Sequence, residues 1–288
     1  MTQLTEARTE PFGLLVDVVG SGGVLILSGA GLSTESGIPD YRGPTGLARR
    51  ATPMTYQAFI GSAEARQRYW ARSYLGWRHI GRAVPNAGHR AVAELSRRGL
   101  LTGIITQNVD GLHQAAGPVM GGAAVTELHG SLHWVICLSC GQRTPRTELA
   151  RRLEAANPGW DAQLTAAIKP DGDADADPEA IASFVVADCS ACHGILKPDV
   201  VFFGENVPRS RAEACYALVE GSSALVVLGS SLTVMSGLRY VRHAARGQRP
   251  IVIVNQGVTR GDAYATATLD APLGQTLTEL VSRIGDPR

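Results

Sequence analysis

The 288-residue sequence predicts an α/β fold, a doubly wound, parallel, Rossmann-like sheet with two inserted modules. Three observations predict it. First, residues 24–27, 101–106, 125–128, 225–228 and 251–254 are short apolar runs. They are continuous rather than alternating, as parallel strands covered on both faces must be. Second, helical patterns lie between these runs; the clearest covers 86–98, with Asn86 placed to cap its first turn and Gly99 to end its last. Third, each run stops in a cluster of small or polar residues, and in open α/β sheets the ligand crevice lies at the carboxyl ends of the strands.

Two stretches break the strand–helix rhythm. Residues 52–82 read as a small helical module rich in aromatics, among them Tyr56, Phe59, Tyr69, Trp70, Tyr74 and Trp77. Residues 132–199 hold two cysteine pairs and an acidic tract at 171–177. The sheet domain then consists of 12–51, 83–131 and 200–288. The acidic tract reads as a solvated loop; a calcium loop would need a regular ligand pattern closed by a glutamate, and that closing residue is missing.

Composition narrows the function. Hydrophobic residues at 44% against 18% charged residues supply a proper core. A formal net charge of +1 creates no global field toward nucleic acid or an anionic membrane. No run approaches the roughly 20 apolar residues that span a bilayer. Residues 1–11 are polar and mixed in charge, so no signal or transit peptide is expected and a cytoplasmic location is. In that reducing compartment the five cysteines argue against a disulfide framework.

The chemistry is concentrated at the run ends. The first run leads into Ser28-Gly-Ala-Gly-Leu-Ser-Thr-Glu-Ser-Gly-Ile-Pro-Asp-Tyr-Arg-Gly43. Small residues directly after a strand let backbone N–H groups approach a pyrophosphate. Gly29 and Gly31 match the first two glycines of G-x-G-x-x-G, but Thr34 stands where the third belongs. The length of the motif, with Asp40 and Arg42 adding charge beside the glycines, sets it apart from a tight turn. The other runs end in Gln107-Asn108-Val109-Asp110-Gly111-Leu112-His113, His129-Gly130-Ser131, Gly229-Ser230-Ser231 and Asn255-Gln256. Any one of these reads as a satisfied turn; five on one edge mark a site.

The cysteines form two C-x-x-C knuckles, Cys137 with Cys140 and Cys189 with Cys192. Four thiolates in paired knuckles suit one tetrahedral Zn²⁺, and a closed site leaves no position for substrate, so this zinc is expected to be structural. The weaker alternative is a redox pair or four unrelated core cysteines. Cys215 lies in a helical pattern and reads as core.

Taken together these motifs resemble the sirtuin family across nearly the whole chain, from about residue 24 to 277. The resemblance is carried by residues 29–42 and 106–113, Glu127-Leu-His-Gly130, the two cysteine pairs, Val201-Phe-Phe-Gly-Glu205, Gly229-Ser-Ser-Leu232 and Val254-Asn255. Residues 66–72 with Gly76-Trp77, the wide cysteine spacing and residues 197–204 resemble its class II branch. The resemblance implies an NAD-dependent protein-lysine deacylase that moves an acyl group from lysine to ADP-ribose and releases nicotinamide. It further implies that Gly29, Ala30, Gly31 and Ser33 cradle the NAD⁺ phosphates, and that Ile38, Pro39, Asp40 and Arg42 form a cofactor loop. Gln107, Asn108 and Asp110 would line the ribose and nicotinamide pocket; Gly229, Ser230, Ser231, Asn255 and Gln256 would hold the rest of the cofactor. His129 would be the general base, taking a proton from a ribose hydroxyl. Val201, Phe202, Phe203, Gly204 and Glu205 would offer an edge to the acyl-lysine peptide. His113, His133 and His89 read as structural.

The chain departs from the commonest family pattern at two places. Ser230 replaces a more usual Thr and keeps the hydroxyl, and Met235-Ser-Gly237 stands where many members carry a Pro. Tyr69 and Arg72, three apart on one helix face, match a Tyr-x-x-Arg pair of the sirtuins that remove succinyl, malonyl or glutaryl groups. The plainer reading puts Arg72 on a solvated face. Other functions on the same scaffold are protein mono-ADP-ribosyl transfer and non-catalytic NAD⁺ sensing; a hydride-transferring dehydrogenase is disfavoured by the missing third glycine.

Overall fold

The computed structural model describes residues 10–40, 53–117, 124–160 and 178–285. Arg42 and the acidic tract lie outside the described residues. In chain order the elements are α1 (Pro11–Gly20), β1 (Val24–Ser28), α2 (Tyr56–Gly61), α3 (Ala63–Ile80), α4 (Ala87–Arg97), β2 (Leu101–Thr106), α5 (Leu112–Ala115), β3 (Val125–Glu127), β4 (Gly130–Cys137), β5 (Arg143–Pro145), α6 (Arg146–Ala156), α7 (Pro178–Ser183), β6 (Leu196–Val200), α8 (Arg209–Glu220), β7 (Ala224–Leu228), α9 (Met235–Arg246), β8 (Ile251–Val254), β9 (Ala267–Leu269) and α10 (Leu273–Ile284).

Six strands pair in parallel in the order β3-β2-β1-β7-β8-β9. The chain starts in the middle at β1, steps outward through β2 and β3, and returns on the other side of β1 as β7, β8 and β9. Strand order therefore reverses between β1 and β7, and the loops leaving those two strands diverge to open a crevice. The continuous apolar runs follow from cover on both faces. Val24, Ile26 and Val226 pack with Leu15, Leu95 and Leu277 of α1, α4 and α10, while Leu25, Leu27 and Val227 pack with Val219 and Val241 of α8 and α9. Cys215 belongs to the second of these clusters and is fully buried. Asn86 caps α4, accepting from the His89 N–H at 3.2 Å, and its amide donates to Leu32 O at 2.7 Å, which ties the helix to the loop after β1.

The second sheet is antiparallel, in the order β5-β4-β6, and carries the cysteines. It packs against α3 through Tyr69, Trp70, Tyr74, Val135, Leu149 and Phe202. Arg146 is buried in this joint. Its guanidinium stands 5.4 Å from the Trp70 ring and 5.3 Å from the Trp77 ring, and Nη1 meets no hydrogen-bond acceptor. Two indole faces take the place of a carboxylate, and burial pulls the group down to about 10. Among the described residues no helix is long and apolar enough to cross a membrane.

Candidate active site and metal centre

The crevice is floored by backbone. After Ser28 the chain makes two short 3₁₀ turns, Ala30–Leu32 and Thr34–Ser36, and leaves through Gly37 at φ +82°. The Gly29 N–H donates to Leu228 O and the Gly31 N–H to Gly229 O, both at 2.9 Å. A Cβ on Gly31 would stand 2.9 Å from Gly229 Cα, and one on Gly29 would stand 2.7 Å from Ser230 Cβ. Glycine is required at both positions because two backbones meet there.

The loop after β2 is fastened to this floor. Asn108 Nδ2 donates to Gly29 O and to Ser33 Oγ, each at 3.0 Å. Ser33 Oγ donates to Asp110 Oδ2 at 2.7 Å, and the Leu112 N–H donates to Asp110 Oδ1 at 2.9 Å. Burial pushes the Asp110 carboxyl above its ordinary 3.8. Gln107 Nε2 donates to Ser230 Oγ at 2.8 Å, bridging to the loop after β7.

His129 sits between β3 and β4. Its Nδ1 lies 2.9 Å from Gln107 O. A carbonyl only accepts, so in the neutral ring Nδ1 carries the proton and Nε2 keeps its lone pair. Nε2 lies 2.8 Å from Ser236 Oγ. Burial lowers the imidazole below 6.5; the Gln107 carbonyl opposes this, and Arg211 and Arg239 add to it. The ring is therefore a neutral base at pH 7.

One cavity of about 940 Å³ joins these groups. Arg72 apart, every described residue proposed for cofactor, peptide or proton binding lines it. Arg72 is half-buried on α3 and is not on its wall, whereas Tyr69, in edge contact with Phe59, Trp70 and Phe202, is. The volume is at the upper end of about 300–1,000 Å³ for ligand sites and suits a dinucleotide over a side-chain-free floor. Val234, Met235, Ser236 and Arg239 also line it and were given no role from the sequence. The unusual Met235-Ser-Gly237 segment was the available signal.

The 201–205 segment is a turn rather than an extended edge. Phe202 N–H donates to the Glu205 carboxylate at 2.9 Å, Glu205 N–H returns to Phe202 O at 3.0 Å, and Phe203 O accepts from Tyr56 N–H at 2.9 Å. Buried Lys197 holds Glu205 at 3.0 Å beneath it.

The four knuckle cysteines converge. Cys137 Sγ lies 3.5 Å from Cys192 Sγ and Cys140 Sγ lies 3.8 Å from Cys189 Sγ, with all four sulfurs within 4.8 Å of one another. A Zn–S bond of about 2.3 Å gives a tetrahedral edge of about 3.8 Å, so the four donors fit one Zn²⁺. Gly194 is needed there, since a Cβ would stand 2.9 Å from Cys137 Sγ.

Two buried histidines lie behind the floor. His113 Nε2 meets Ser28 Oγ at 2.8 Å, and Ser28 Oγ donates to Thr106 Oγ1 at 2.9 Å. His89 stacks edgewise on His113 at 5.2 Å, with both ring nitrogens unpartnered. Burial lowers His89 to about 4 and His113 to about 3. The unfolded chain takes up these protons near 6.5 and the folded chain does not. Their contribution is therefore present above pH 6.5 and lost as pH falls toward 4 and then 3, by up to about 1.4 kcal/mol per pH unit for each ring. Urea midpoints at pH 7 and pH 5 are expected to show a smaller acid loss in His89→Leu than in the wild type. Equal losses would show that His89 already protonates in the folded state.

A crevice at the strand-order reversal of a doubly wound sheet is where nucleotide cofactors sit, and this fold and floor define a dinucleotide-binding α/β protein. The Sir2 family model matches residues 29–236, and the chain belongs to that family. It is 61% identical over 271 residues to NAD-dependent protein deacetylase 1 of Streptomyces coelicolor, covering 94% of this chain and 89% of that protein. It is 53% identical over 254 residues to the NAD-dependent protein deacetylase of Xanthomonas campestris pv. campestris, covering 88% and 85%. A solved Sir2 structure with a peptide and NAD⁺ has a TM-score of 0.70 at 27% identity, covering 94% of this chain and 97% of that one. A Sir2 protein bound to a propionylated peptide has a TM-score of 0.71 at 27% identity, covering 95% and 98%.

Proposed function

We propose that the protein is an NAD-dependent protein-lysine deacylase that transfers the acyl group to ADP-ribose and releases nicotinamide, with one structural zinc. The observation that carries the reading is His129, a neutral imidazole whose basic Nε2 faces the same cavity as the glycine floor. When bound, NAD⁺ supplies the ADP-ribosyl acceptor and the nicotinamide leaving group. The chain supplies the rest. Gly29, Gly31 and Gly229 let backbone approach a diphosphate. Asn108, Ser33 and Asp110 are locked to one another, so the polar groups at the centre are placed before the cofactor arrives. His129 Nε2 accepts a proton from a ribose hydroxyl. Acylated protein, rather than nucleic acid or membrane, is the partner we infer. Mass spectrometry of an acetyl-lysine peptide incubated with NAD⁺ tests the reading. Free lysine, nicotinamide and acyl-ADP-ribose in equal amounts are expected; ADP-ribose attached to protein, without acyl-ADP-ribose, would replace the reading with ADP-ribosyl transfer.

The wall near Tyr69 is apolar, with Met54, Val109 and Phe202, and Arg72 is not on it. Neutral acyl groups are therefore expected to be preferred. Arg72→Met should change kcat/KM for acetyl and succinyl peptides by the same factor. A guanidinium on a substrate carboxylate would instead give a loss of about tenfold or more confined to the acidic acyl groups.

A further inference from the structure

Ser236 occupies the first turn of α9 with its Oγ 2.8 Å from His129 Nε2. Because the Nδ1 proton is committed to Gln107 O, the Ser236 O–H donates to Nε2 in the resting protein. The contact is built in. Gly237 lets α9 close on Gln107, for a Cβ there would stand 2.8 Å from Gln107 Oε1, and Gln107 in turn holds Ser230. Ser236 is half-buried and, like His129, lines the cavity, which gives its hydroxyl access to the water that fills that space.

We propose that Ser236 is a positioning residue that fixes the His129 ring and carries its proton out to solvent. The inference rests on the deacylase reading. Once Nε2 has taken a proton, the Nε2–H donates to Ser236 Oγ. Oγ accepts that proton while its own passes to a water molecule. The ring returns to neutral, the serine is unchanged, and one proton has moved from imidazolium to water. The charged groups acting on the ring are Arg211 of α8 and Arg239 of α9, and both disfavour the imidazolium, so they drive the proton outward.

Wild type, Ser236→Ala and Ser236→Thr are compared with an acetyl-lysine peptide and NAD⁺ over a range of imidazole buffer concentrations. Ser236→Ala is expected to lose about tenfold in kcat with KM values little changed, and to recover as buffer replaces the missing carrier. Ser236→Thr, which keeps the hydroxyl, is expected to recover most of kcat without buffer. Unchanged kcat in Ser236→Ala, or a loss that buffer does not relieve, overturns the proposal. The His129 titration followed by ¹⁵N NMR gives a readout independent of turnover. It is expected to move in Ser236→Ala, and an unmoved titration also overturns the proposal. A wild type that binds NAD⁺ and shows the Ser236-dependent titration but no deacylation would count against the deacylase reading and not against the Ser236–His129 contact.

Discussion

His129→Ala is expected to lower kcat for lysine deacylation by about 10²- to 10⁴-fold while the protein stays folded, because removing a positioned general base costs about that much. The side chain can be removed without collapse. Its partners are one backbone carbonyl and one hydroxyl beside a cavity that water can enter, so neither is left stranded in a dry core. KM for NAD⁺ should change little, since the glycine floor and the Asn108–Ser33–Asp110 chain are held by their own hydrogen bonds. Steady-state kinetics beside a thermal melt check this. Near-normal turnover by folded His129→Ala protein would remove His129 from the mechanism.

Cys137→Ser is expected to release the zinc and lower Tm by more than about 10 °C, because metal bound only by the folded chain contributes its binding free energy to folding. Cys137 and Cys189 are buried while Cys140 and Cys192 are exposed, so an empty site would leave two sulfurs buried in a pocket shaped for a dication. Cys215→Ser separates this effect from simple core damage: Cys215 is equally buried but lies in the helix–sheet core, away from the cluster. It should keep one equivalent of zinc by elemental analysis. Stoichiometric zinc in Cys137→Ser would show that the thiol is not a ligand.

The sheet was legible in the sequence where burial is complete. The runs at 101–106 and 251–254 coincide with β2 and β8, since strands covered on both faces carry small and apolar residues in a continuous run rather than in alternation. β9 escaped because Ala267-Thr-Leu269 is a half-exposed edge of three residues with no periodic pattern. The polar ends of β1, β2, β3, β7 and β8 could be listed from the sequence, yet their meeting depends on the reversal between β1 and β7, a property of strand order that no local pattern encodes. Arg72 shows the same gap from the other side. Spacing put it on one helical face with Tyr69, but only packing decides which of the two reaches the cavity. Met235-Ser-Gly237 stood out only against the family pattern, and the contact of Ser236 with His129 is made by packing that the local sequence does not encode.

The metal and the base share two strands. β4 runs from Gly130, next to His129, to Cys137, and those two ends pair with Val200 and Leu196 of β6, with a break in register between Ser131 and Val135. β6 starts shortly after Cys192 and ends at Val200, where the Val201 N–H grips His129 O at 2.8 Å. At the base end Gly130, at φ +82°, leaves no room for a side chain, since a Cβ there would meet Asp199 O at 2.0 Å. The two strands act as a pair of struts anchored in the ion, and the imidazole rides on their far ends. A chelator or thiol oxidant need never enter the cavity to stop the reaction, because slackening the anchor lets the base drift out of aim.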